Sequence, residues 1–467
     1  MRPNLILPVL VGFLVSPLLT LGVTIGPTDP MTISNVQIAP DGSPRAAAVV
    51  NGIHPGPLIV AQKGDNFDVV VTNNLTDPSM TLDTSIHWHG IFQRGTTWAD
   101  GPEGVSQCPI PPNGTSFRYQ FSTSGQAGSF WYHSHFGNQY CDGVRGPIVI
   151  YDENDPHRDK YNEDNEDTVI TVTDWSETCF LSTANFRFSI DGHKLVVIEA
   201  DGESTMPTAP VDGVQIFAGQ RYSLILNASQ PISNYWIRAN PDLAPLRDRF
   251  EGGVNSAILR YAGAPEVEPT TPLPPSLEFL RESDLYPFSN PNAPGLPQID
   301  GNDFNKTFAV DFNGTRFLMN NVSWQAPSAP ILLQILTGSN ASELMPQASI
   351  VQLRRNMVVQ LNISSVSTRG TPHPFHLHGH AFSVIKSADS NTFNFENPVR
   401  RDVVSIGGVG QFAVIRFVTD NPGPWIFHCH IEPHLSAGLA VVFVEDFENI
   451  IPSNPIPQSW RDLCVKF

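Results

Sequence analysis

Residues 425–434 read WIFHCHIEPH. His428, Cys429, His430 and His434 fall within seven positions of a chain that holds only 5 cysteines and 14 histidines. In a strand, residues two apart share a face and odd offsets oppose. Read as a strand, the stretch aims His428 and His430 to one side and Cys429 to the other. His434 lies past the strand end and can curl back to the cysteine side.

The surroundings support strands. FDVVVTNNL (67–75), GPIVIYD (146–152), DTVITVTDW (167–175), QRYSLILNAS (220–229), MVVQLNIS (357–364) and GLAVVFVED (438–446) are short and rich in Val, Ile and Leu. Gly, Pro, Asn or Asp bounds each of them. No long stretch carries a helical period. The reading is all-β, with Greek-key sandwiches or barrels. A weak echo among 60–75, 216–229 and 351–364 (turn, alternating strand, Asn) fits three related β domains. The expected division is 23–151, 152–264 and 298–467. A proline-rich linker over 265–297 is expected to be extended and weakly packed.

Ten of the histidines sit in four short stretches: HWHG (His87, His89), YHSH (His133, His135), HPFHLH (His373, His376, His378) and the opening motif. One His-x-His pair is easily a strand that exposes two imidazoles. Four pairs in one chain are not, because eight uncompensated imidazoles are costly to bury. By parity, 87/89, 133/135, 376/378 and 428/430 can each aim two rings at one place, giving eight nitrogen ligands. His373, at odd offsets from 376 and 378, joins Cys429 and His434 in a second set. A thiolate with two imidazoles suits a trigonal blue copper site. Zinc competes for the same ligands, but a structural zinc site closes with a fourth, and none is adjacent. The eight-imidazole set lacks the carboxylates or thiolates of calcium or iron–sulfur centres. Cys429 and its chain neighbours join the two sets by a few bonds. One site that takes electrons singly and a cluster that stores several meet the needs of four-electron dioxygen reduction.

Net charge is −18 and the isoelectric point about 5.1, which disfavours nucleic acid and anionic membranes as partners. Residues 1–22 read as a secretory signal peptide: Arg2, then an apolar run broken by prolines, then Thr20 and Gly22 near a cleavage site. Eight N-x-S/T sequons, at Asn74, Asn113, Asn227, Asn305, Asn313, Asn321, Asn340 and Asn362, point to a secreted, extracellular glycoprotein. In that compartment cysteines pair, and five leaves one over. Cys429 is that candidate.

The four histidine stretches resemble the copper-binding segments of the multicopper oxidases. TTWADGPEGVSQCPI (96–110), AGSFWYHSHFGNQYCDGVRGPIVIYD (127–152), FSIDGH (188–193), NYWIRANP (234–241), GGVNSAILRY (252–261) and TDNPGPWIFHCHIEPHL (419–435) resemble the basidiomycete laccases in particular. The resemblance covers most of 27–464. It implies three cupredoxin-like domains and four coppers. A type 1 copper would take His373, Cys429 and His434, and a type 2 copper His87 and His376. A type 3 pair would take His89, His133, His135, His378, His428 and His430. It further implies disulfides Cys108–Cys464 and Cys141–Cys179, and a proton-delivering role for Asp100, which otherwise reads as an Asp-Gly turn residue. The implied reaction is one-electron oxidation of phenols and aromatic amines, coupled to reduction of dioxygen to water by a monomer. Lignin-derived phenols are one such substrate class.

The chain departs from that pattern in places. The expected middle domain is short, as if strands were missing between Trp175 and FSIDG, and lost strands expose edges and core. Phe180 stands where the resemblance implies a phenol-binding acid. Leu439 stands where blue copper sites place an axial Met; a non-ligating residue there raises the potential. Alternatives to laccase are an impaired or unstable variant from splicing or a gene-model error, or another multicopper oxidase such as a ferroxidase or ascorbate oxidase. A ferroxidase needs carboxylates by His373 and His434, and Glu432 is the one the motif offers.

Overall fold

The structure, a computed structural model, describes residues 23–175, 185–242, 256–366 and 372–465. It is built of strands in six sheets, with four short α-helices among the described residues. The sheets follow the chain in three groups of two.

In the first group, a five-stranded sheet carries β1 (Ile86–His89) at one edge, paired with β2 (Gly128–Ser134). Their antiparallel register sets His87 opposite His133. The middle group has a four-stranded and a three-stranded sheet. In the latter, β3 (Leu195–Ala200) pairs with β4 (Tyr222–Leu226). The third group has a six-stranded sheet and a five-stranded one. In the five-stranded sheet β5 (Pro374–Leu377) pairs with β6 (Gly423–Cys429), opposing His376 to His428. A short helix, α1 (Glu432–Ser436), follows β6 and carries His434 back over the sheet. β7 (Ala440–Glu445) then pairs with β6.

The five-stranded sheet of the third group is buried on both faces, and its parity decides what each face meets. Ile426, Ala440, Val442 and Val444 belong to the apolar core of the first group. Phe427, Cys429, Val441 and Phe443 belong to a second core shared with the middle group. Such strands lack the polar alternation of a one-sided sheet and read as apolar runs. His428 is therefore aimed at the first group, and Cys429 away from it.

Two expectations fail. DTVITVTDW forms no strand: 166–168 is a 3₁₀ turn and 169–175 joins no β-ladder, with Ile170 exposed. Its alternating pattern meets no partner edge among the described residues, and an apolar pattern without a ladder does not make a strand. The 265–297 segment is not weakly packed. Leu285 and Ala293 are buried, bridges join Phe279 to Gly213 and Pro287 to Thr205, and Arg416 donates to the Pro294 and Leu296 carbonyls. Prolines remove donors, yet their carbonyls remain strong acceptors.

Cys108 and Cys464 form a disulfide that ties α2 (Gln458–Leu463) to the first group across 356 residues of chain. Cys141 is also disulfide-bonded. Its expected partner Cys179 lies outside the described residues, as do Phe180 and the expected signal peptide. Cys429 is the free cysteine, and it is buried.

Candidate metal centres

The eight imidazoles of His87, His89, His133, His135, His376, His378, His428 and His430 converge between the first and third groups. All are at least 95% buried. Ring centroids lie 5.3 Å apart for His87 and His133, 3.9 Å for His87 and His378, and 5.1 Å for His135 and His428.

Six rings have one nitrogen fixed from behind. Nδ1 of His87, His133, His376 and His428 faces the carbonyls of Asp100, Ser134, Asp402 and Cys429 at 2.8–2.9 Å. His378 Nδ1 lies 2.8 Å from Asp100 Oδ2, and His89 Nε2 lies 3.2 Å from Asp402 Oδ1. A carbonyl or carboxylate only accepts, so each of those nitrogens carries the hydrogen and the other offers a lone pair. Those lone pairs point inward. Nε2 of His87, His133, His135 and His376 has no hydrogen-bond partner among the described residues. His378 and His428 face each other through Nε2 at 3.1 Å, and so do His89 Nδ1 and His430 Nε2. An orphaned buried acceptor costs about 1–3 kcal/mol. Several aimed at one space fit a set of cations.

Burial, joined for most by repulsion from neighbouring rings, holds His89, His133, His135, His376, His378 and His430 well below the ordinary value of 6.5, and lowers His428 to about 3. They are neutral ligands at any ordinary pH. Asp100 is fully buried, with Oδ1 3.2 Å from His87 Nδ1, and desolvation raises its pKa.

The second set is smaller. His373 Nδ1 and His434 Nδ1 lie 3.1 Å apart, at 3.7 and 3.5 Å from Cys429 Sγ. Burial lowers His373 to about 4 and His434 to about 3, and pushes the thiol well up. The Phe317 ring packs 4.3 Å from His434. His434, 8% exposed, is the most accessible of the three. Leu439 is fully buried; its carbonyl accepts from Cys429 N and its N–H donates to His434 O.

Glu432 is buried and raised in pKa by desolvation and by Glu103, so it is not an exposed acid beside His434. That weakens the ferroxidase alternative. Of the eight sequon asparagines, seven are exposed and Asn362 is half-buried. No helix among the described residues is long and apolar enough to cross a membrane.

Family models of the multicopper oxidases match residues 32–155, 181–264 and 290–449. The laccases of Trametes hirsuta and Pycnoporus cinnabarinus are each 48% identical to this chain, over 94% of it and 94% of their own length. The chain belongs to the multicopper oxidase family. Among solved structures, the laccase of Botrytis aclada superposes with a TM-score of 0.77 at 29% identity, over 95% of this chain and 92% of that one. Fet3p, a multicopper oxidase that functions in iron import, gives 0.79 at 27% identity, over 95% of each chain. The fold is thus cupredoxin-like, and copper is the metal that this family's donor sets imply.

Sequence reading missed Asp402, which touches both His89 and His376, Arg221, which clasps it, and Arg401, which is held by Asp201. The one sign was RRD (400–402) set directly between Val399 and Val403: three charges flanked by apolar residues. It also left His380 unassigned. That ring is buried against Glu445 at 3.0 Å, and the carboxylate raises its pKa.

Proposed function

We propose that the chain is a secreted laccase that takes electrons one at a time from phenols and aromatic amines and passes them to dioxygen, forming water. The observation that carries this is the placement of Cys429 in one donor set and of its neighbours His428 and His430 in the other. The 48% identity to laccases favours phenols over iron as the reductant.

Four coppers fit the donors: one at His373, Cys429 and His434, one at His87 and His376, and two at His89, His133, His135, His378, His428 and His430. Bound there, copper supplies the one-electron redox chemistry. The chain does the rest. His434 is the accessible edge where a phenol ring can approach, with Phe317 beside it. Leu439 contributes no thioether, so the thiolate centre keeps a raised potential. Asp100, held between His87 and His378, is placed to hold a proton for the oxygen-reducing site. Burial excludes bulk water from the eight imidazoles. The middle group is read as a shortened domain that nevertheless packs, sharing a core with the third group.

The test is a spectrum and an assay on the secreted protein. A blue absorption band, about four coppers per chain, and oxidation of a phenol and a non-phenolic dye with oxygen consumption are expected. A colourless, copper-free secreted protein would sink this reading.

A further inference from the structure

Every proposed ligand comes from the first and third groups, yet the middle group reaches the cluster through one turn. Residues 217–221 close on themselves: Gln220 N donates to Phe217 O at 3.0 Å and Phe217 N to Gln220 Oε1 at 3.2 Å. Gly219 sits at φ +86, and a Cβ there would come within 2.9 Å of His430 Cδ2 and 3.0 Å of Val403 Cγ2. The glycine is thus packed too close to a cluster imidazole to admit a Cβ. Gln220 Nε2 donates to Val403 O at 3.1 Å.

Arg221 completes the contact. Its Nη1 and Nη2 clasp Asp402 Oδ1 and Oδ2 at 2.6 and 2.8 Å, and its Nε donates to Ser129 O in β2 at 3.0 Å. Its own backbone N–H donates to Asp201 Oδ1 at 2.8 Å, and Asp201 in turn holds Arg401 at 2.9 Å. Gly90, directly after His89, leaves the room this pair occupies; a Cβ there would overlap Arg221 Nη2 and Asp402 Oδ2. A bidentate guanidinium fixes a carboxylate in rotation as well as in place. Asp402 Oδ1, so fixed, accepts from His89 Nε2, and His89 Nδ1 is left facing His430 Nε2.

We propose that the 217–221 turn is the third wall of the eight-histidine cluster, with Arg221 as a positioning residue that sets the orientation and tautomer of His89 through Asp402. The inference rests on the copper reading above. It assigns the middle group a role at the oxygen-reducing end of the molecule.

The test uses the holoenzyme. In Arg221→Gln the blue band persists, and a phenol reduces the thiolate centre under anaerobic conditions at the wild-type rate. Copper per chain falls by at least one, and oxygen consumption drops roughly ten- to a hundred-fold, the usual effect of losing a partner behind a metal ligand. Arg221→Lys, which keeps the charge, restores part of both. Gly219→Ala keeps every charge and presses on His430. It gives the same split between the two centres should Arg221→Gln fail to fold. Full copper with wild-type oxygen consumption in both Arg221→Gln and Gly219→Ala overturns the proposal. So does equal loss of the blue band and the cluster copper, which marks a general packing defect. A wild-type protein without copper overturns the function instead.

Discussion

The two donor sets share a strand and differ in almost everything else. The thiolate set has three donors and is enclosed chiefly by apolar groups, Phe317 and Leu439 among them. The eight-imidazole set is sealed, and its rings are held from behind by carbonyls and by Asp100 and Asp402. The difference matches the roles proposed for the two sets. A port for single electrons needs an accessible edge and little rearrangement. A chamber for oxygen chemistry needs fixed lone pairs, proton-bearing groups and no bulk water.

The sharpest way to break the comparison is Cys429→Ser. The thiolate set should lose its blue band and phenol oxidation should fall to background, while the copper bound by the eight imidazoles persists. Copper analysis beside the spectrum checks this, and loss of all copper would show that the sets assemble as one. Asp100→Asn should act in the opposite place. The blue band and its reduction by phenol stay intact, and re-oxidation by dioxygen slows roughly 10²–10⁴-fold, the usual worth of a positioned acid. Stopped-flow mixing of reduced protein with oxygen reads the step directly.

Copper uptake should separate the two sets by pH. Burial pushes the Cys429 thiol up, and that proton must leave when metal binds. Apparent affinity at the thiolate set should therefore rise about tenfold per pH unit between pH 5 and 8. Burial already holds His89, His133, His135, His376, His378, His428 and His430 neutral across that range, so affinity at the imidazole set should stay nearly flat. Equal slopes in a chelator competition would remove the distinction. The smallest change expected is from Leu439→Met. A thioether near the thiolate centre should lower its potential and slow oxidation of the poorest electron donors, leaving cluster copper unchanged. Redox titration of the blue band measures it.

Parity divides nine of the histidines and Cys429 between two donor sets, because it is a local property of each strand; His434 joins from the helix past the strand end. What supports those histidines was not legible. Asp402 belongs to the cluster only because β5 pairs with 403–405, and Arg221 because a turn of the middle group lands on both. The Arg221–Asp402 contact joins residues 181 apart, and neither pairing leaves a trace in spacing. DTVITVTDW shows the converse: a good local pattern became no strand, since strand formation is settled by the neighbour.

The Cys108–Cys464 link has a consequence for cleaved forms of the molecule. Every proposed copper ligand from His133 onward lies inside the covalent ring it closes, and only His87 and His89 lie before it. A protease that cuts one exposed loop within the ring opens it without separating the pieces. Such a nicked chain would travel as one species until a thiol is added, then split into two fragments. A mixture that looks heterogeneous on a reducing gel could thus be a single, fully coloured protein in solution.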